Sequence, residues 1–276
     1  AENKYILIDK EYLQEKATHG IYYLLLDGLK REGVKKINKL NAFIGRCFEF
    51  YVRKLLTRIY PNSNVLTKRV FCEIDGDNTG GVDFIVCYPD SSVLFEVTTS
   101  AIPHKILLSG DMTKIEERIQ NIFFSTANRR SKGKIYQLDN GISVIKKGSL
   151  YKFTVPPDKL KIYPVLVMEK FFPWVPPVVE LCQKCIREKG LLSGYIENFM
   201  ILDIEELELL EEVINSCGQT FPQIFEEYKA SESKNWSFKN FLYYKKRDGS
   251  LKNSYLLEQF WKMRDLFLKE YLKEGI

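Results

Sequence analysis

The 276-residue chain is 45% hydrophobic and 13% aromatic, enough apolar material for a real core and too much for wholesale disorder. Its net charge of +5 is uneven: residues 99–170 hold 13 Lys/Arg against 6 Asp/Glu, whereas 1–98 hold 14 against 13 and 171–276 hold 14 against 17. The basic middle third favours a polyanionic partner such as nucleic acid. No apolar run is long enough to cross a bilayer and no signal-peptide pattern opens the chain, so no membrane partner is expected; six scattered cysteines suit reduced thiols and a cytoplasmic location.

In chain order, residues about 8–31 place Tyr12, Ala17, Ile21, Leu24 and Leu25 at helical spacing, with Gly33 as a stop. A second helix is expected over about 40–60, where Phe43, Ile44, Cys47, Phe48, Tyr51, Val52, Leu55 and Leu56 form a stripe that Pro61-Asn62-Ser63-Asn64 ends. Three strands are expected near 65–74, 82–88 and 92–98, then helices over 111–126 and 132–147. Residues 162–168 read as a buried strand, with Pro164 suggesting a sheet edge or the point where the strand enters the sheet. From Pro173 onward the pattern is mainly helical. A helix between strands implies an α/β fold, a mixed sheet covered by helices.

Asp83 and Glu96 carry the chemistry. They lie on consecutive apolar strands joined by Pro89-Asp90-Ser91-Ser92, so a hairpin brings them together. An acid in an apolar strand is costly to bury unless it is compensated, and a shared Mg²⁺ or Mn²⁺ compensates two. Such an ion would serve phosphodiester hydrolysis by polarising phosphorus and stabilising the leaving oxygen. Glu49, between Phe48 and Phe50, is either a third ligand or a solvated helix-edge residue. Gln137 interrupts an amphipathic helix and is either a phosphate or water contact or a surface glutamine.

Gly45-x-x-Phe48-Glu49-x-Tyr51-Val52, Gly81-Val82-Asp83, Glu96-Val97-Thr98, Gln137-Leu138-Asp139 and Pro164-Val165-Leu166-Val167 together resemble the PD-(D/E)xK nuclease superfamily over residues 40–170. The resemblance implies a restriction-endonuclease-like αβββαβ core, with a helical segment before it (1–39) and a mainly helical accessory region after it (171–276). It implies Asp83, Glu96 and the Val97 carbonyl as ligands of Mg²⁺ or Mn²⁺, Glu49 as a helper, and a role in restriction, genome defence or mobile-element processing. The motif departs at its last letter, since Thr98 stands where the family has lysine and supplies no charge. Lys134, one turn before Gln137, is the first candidate for a migrated lysine and Lys114 the second; both also read as solvated helix lysines.

Elsewhere, Cys182-Gln183-Lys184-Cys185 lacks a second ligand pair and reads as core packing rather than zinc. Neither His19 nor His104 belongs to a catalytic pattern, and Asp75–Gly81 reads as a turn leading into Asp83. Arg129, Arg130 and Lys132 form a basic loop suited to phosphate contact. Trp236, Phe238, Phe241, Tyr243 and Tyr244 interleave with Lys239, Lys245, Lys246 and Arg247, either as base-stacking platforms or as core and rim. The expected function is a metal-dependent nuclease acting on DNA in preference to RNA. Its alternative is a degenerate module, supported by Thr98, that binds nucleic acid or protein. The C-terminal helices are where a protein partner or second copy would dock.

Overall fold

The computed structural model describes residues 24–31, 33–61, 69–72, 81–124, 133–148, 150–169, 176–235, 237–245 and 253–273. The chain forms two compact units, 1–47 and 48–276. In the first, a helical run over 24–30 ends at Gly33, whose φ of 101° suits only glycine and whose N–H closes on Leu29 O at 3.2 Å. Helix α1 (Val34–Ile59) starts earlier than its apolar stripe suggested, and the boundary between the units falls within it, after Cys47.

The second unit is built on an open, mixed five-stranded sheet: β1 (Arg69–Cys72), β2 (Phe84–Cys87), β3 (Ser91–Thr98), β4 (Lys161–Met168) and β5 (Met200–Asp203), in that spatial order. β1, β2 and β3 pair antiparallel; β3, β4 and β5 pair parallel. The Tyr88 N–H donates to Ser91 O at 2.8 Å and closes the β2–β3 hairpin. Helices α2 (His104–Leu108), α3 (Met112–Phe123) and α4 (Lys134–Lys146) make the crossover from β3 to β4, as a parallel pair requires. After β4 come α5 (Pro176–Glu188), β5, α6 (Ile204–Cys217), α7 (Phe221–Ala230), α8 (Phe238–Lys245) and α9 (Ser254–Lys273).

The strands alternate between two apolar layers, as their twofold side-chain period dictates. Val93, Phe95, Val97, Tyr163, Val165 and Val167 face a layer shared with α1, α6, α7 and α8. Ile85, Leu94, Ile162, Leu166 and Met168 face the other, shared with α3, α4 and α5. Each fully buried Val, Leu or Phe contributes about 1.5–3 kcal/mol, so both layers are substantial.

β5 is the element that the helical reading of the C-terminal region overlooked. The region expected to be accessory thus adds a strand to the sheet and three helices to one core layer. Pro164 is not on an edge strand, because β4 lies between β3 and β5. It sits just before Val165, where pairing with β5 begins, so its missing N–H interrupts no ladder there. Cys182 and Cys185 are buried in the α5 layer, in keeping with a packing role. Phe238 and Phe241 are buried too, Lys239 pairs with Glu205 at 2.7 Å and Lys245 pairs with Glu227; Tyr244 is exposed. Trp236, Lys246 and Arg247 lie outside the described residues.

Candidate metal centre

The β2–β3 register sets Phe84 opposite Phe95, and continuing it by one residue sets Asp83 opposite Glu96. Both acids lie on the α4-facing side of the sheet, two residues from Ile85 and Leu94 respectively. Asp83 is 6% exposed and Glu96 fully buried. Asp83 Oδ2 accepts the Val97 N–H at 2.7 Å, taking over a ladder bond where the backbone pairing stops. In a strand the N–H and C=O of one residue point to the same edge, so the Val97 carbonyl is directed to the edge where Asp83 lies.

α4 brings the cation. Lys134 Nζ lies 2.6 Å from Glu96 Oε2 and 3.5 Å from Asp83 Oδ2, bridging the two carboxylates. Two glycines let the helix come this close. A Cβ on Gly133, immediately before Lys134, would stand 2.6 Å from the Phe124 backbone at the end of α3. One on Gly141 would stand 2.3 Å from Val82 Cγ2 and 2.7 Å from Leu94 Cδ2. α4 is therefore seated on β2 and β3 with no room for a larger residue.

Gln137, one turn along, donates from Nε2 to Gly81 O at 2.8 Å and holds the segment that delivers Asp83. Gly81 has a φ of 85°, which favours glycine at that bend. Asp139 serves the scaffold: its Oδ1 accepts the Leu192 N–H at 2.8 Å and holds a buried leucine with a φ of 52°.

The electrostatics are unbalanced. With both acids ionised, one ammonium faces two carboxylates. Burial first, and then neighbouring Asp83, push the Glu96 carboxyl well above the usual carboxylate range, against the opposing pull of Lys134. Loss of solvation lowers the proton affinity of Lys134, but Glu96 and Asp83 outweigh it and hold the ammonium above the ordinary lysine value. One buried atom is also left over: Glu96 Oε1 has no hydrogen-bond partner among the described residues. A buried acceptor without a donor costs about 1–3 kcal/mol, more when charged, and a divalent cation would remove that cost. The chemistry of the pair fits such an ion.

The remaining expected residues divide. Thr98, 9% exposed, lies on the same side of β3 as Glu96; its Oγ1 accepts the Ser100 N–H at 3.1 Å. Lys114 is not brought to the acids: it is exposed and paired with Asp111, its own helix cap, at 2.8 Å. Glu49 is half-buried on α1. It does not join Asp83 and Glu96 in a three-acid cluster, since no group of three or more His, Cys, Asp or Glu side chains able to hold a metal occurs among the described residues. Arg129, Arg130 and Lys132, and the Asp75–Gly80 segment, lie outside the described residues, as does His19; His104 begins α2. No helix among the described residues is long and apolar enough to cross a membrane. The chain matches no protein-family model, no curated protein and no solved structure.

Proposed function

We propose that the protein is a metal-dependent nuclease that hydrolyses phosphodiester bonds, in DNA in preference to RNA, and that it is a divergent relative of the PD-(D/E)xK superfamily. The observation that carries the reading is the bridge from Lys134 Nζ to Glu96 and Asp83 beside the unpartnered Glu96 Oε1. The helix, three strands, helices and strand of α1 to β4 support the same assignment.

Asp83, Glu96 and the Val97 carbonyl would hold Mg²⁺ or Mn²⁺. The ion supplies charge stabilisation at the phosphorus centre and at the leaving oxygen. Lys134 supplies the positive charge that Thr98 lacks, from the adjoining helix instead of the strand. Its ammonium stays charged beside the two acids and can stabilise the scissile phosphate. Gln137 is a positioning residue that holds Gly81 and so the approach of Asp83. The Thr98 hydroxyl, whose oxygen already accepts from Ser100, keeps its own proton to donate.

The test is a cleavage panel with plasmid, linear and single-stranded DNA and RNA, in Mg²⁺, Mn²⁺ or EDTA. Wild type is compared with Asp83→Ala, Glu96→Ala and Lys134→Ala. Metal-dependent cleavage lost in all three variants is expected. Cleavage that survives EDTA or either acid substitution contradicts the metal centre. Nucleic-acid binding without cleavage under every metal condition favours the degenerate module instead.

A further inference from the structure

Arg118, on α3, is half-buried. No acid lies within ion-pair distance of Arg118 among the described residues. Its single hydrogen bond there runs from Nε to Ala101 O, at 3.0 Å. The two terminal amino groups remain uncommitted, and they form the planar fork that recognises a carboxylate or phosphate through paired bonds.

Two connections relate this residue to the elements that carry the acids and Lys134. Ala101 follows Thr98 by three residues, on the loop that leaves the C-terminal end of β3 just past Glu96. α3 ends against Gly133, the residue before Lys134. Arg118 is six residues from Phe124, about 9 Å along a helix. The guanidinium is thus tied to the segment after one ligand, and its backbone position lies between one and two turns of α3 before the helix end that meets Gly133. It touches neither acid, so its charge is not spent on the metal centre.

Resting on the nuclease reading, we propose that Arg118 is a phosphate subsite: its two amino groups take the phosphodiester of a nucleotide flanking the scissile bond. The ligand class is a polynucleotide backbone, read by charge and not by base. Its Nε bond to Ala101 fixes the orientation of the fork, so the side chain is preorganised before substrate arrives.

The test is binding of fluorescein-labelled single- and double-stranded DNA by anisotropy in EDTA, which separates binding from cleavage, over a series of salt concentrations. Arg118→Ala is expected to weaken binding about tenfold and to flatten the dependence of log K on log salt by about one contact. Arg118→Gln keeps an N–H for Ala101 but not the charge, and is expected to match the alanine variant. Arg118→Lys is expected to recover part of the affinity, with thermal melting used to confirm that each variant is folded. Unchanged affinity and salt slope in the folded Gln variant overturn the subsite while leaving the nuclease reading intact. Wild type that neither binds nor cleaves nucleic acid overturns both.

Discussion

Glu96 and Glu211 are both acids buried in the second unit, at 0% and 3% exposure, and their surroundings differ in kind. Glu211 on α6 receives Arg58 Nε at 2.6 Å on one oxygen, and Arg58 Nη2 at 3.0 Å with Asn253 Nδ2 at 2.6 Å on the other. Arg58 stacks on Tyr255 at 3.9 Å, and Asn253 Nδ2 also reaches Glu208 O, so the cluster ties α1 and α6 to the start of α9. Glu96 instead has Oε2 on Lys134 and no donor on Oε1 among the described residues, with the Asp83 carboxyl close enough to bond to it only through a shared proton. A buried acid whose oxygens are saturated by its neighbours serves the scaffold; one left short of donors is the arrangement that the proposed cation would complete.

Substitutions should separate the two clusters. The largest effect is expected on catalysis: Asp83→Asn or Glu96→Gln should lower metal-dependent cleavage about a thousandfold, the loss of several kcal/mol of transition-state stabilisation. Glu96→Gln should leave urea stability unchanged or raised, because burial and Asp83 already favour an uncharged group there and the amide can donate to Asp83. At the saturated cluster the pattern reverses. Glu211→Ala should cost about 3 kcal/mol in urea unfolding, at the low end for a broken buried pair because Arg58 is 21% exposed, with cleavage by the folded fraction preserved. If Glu96→Gln proved the more destabilising of the two, the contrast between the clusters would collapse.

Gly141→Ala sharpens the link between packing and chemistry. Its Cβ overlaps the Val82 and Leu94 side chains, so about 1–3 kcal/mol of stability should be lost. Turnover should fall with it as α4 lifts Lys134 from the acids, and a variant of normal turnover would show that the seating is not needed. The smallest effect is in pH dependence. Burial first, and then neighbouring Asp203, push the Glu206 carboxyl up to about 8, while its oxygens cap the Asp203 and Lys239 N–H groups. A raised carboxyl contributes stability that is full below the unfolded value near 4.3 and is lost as pH rises through 8. Thermal melts should therefore decline from pH 5 to 8 in wild type and be flatter in Glu206→Gln; parallel slopes would remove Glu206 as the cause.

Much of this was legible in the chain because the signals are local. The apolar run Val93–Val97 interrupted by one acid, and the turn before it, specify both the hairpin and the pairing of Asp83 with Glu96. Lys134 could be named as a candidate from its place on a helix, but its approach depends on Gly133 and Gly141 meeting surfaces distant in sequence. Gln137 was legible as unusual, whereas its partner, a carbonyl 56 residues away, was not. β5 was missed because four strand residues run directly into a helix. The capping box formed by Asp203 and Glu206 marks that junction, with Met200, Ile201 and Leu202 before it. Arg118 leaves no mark in the sequence, since an unpaired arginine is recognised only once its neighbours are known.

Asp83 and Glu96 are proposed to form a divalent-cation site. Titration of the purified chain with Mn²⁺, followed by electron paramagnetic resonance of the free ion, tests it without relying on substrate or turnover. Saturable binding by wild type, lost in both Asp83→Asn and Glu96→Gln, is the predicted result. Binding of equal strength in those two variants, or none in wild type, would contradict it.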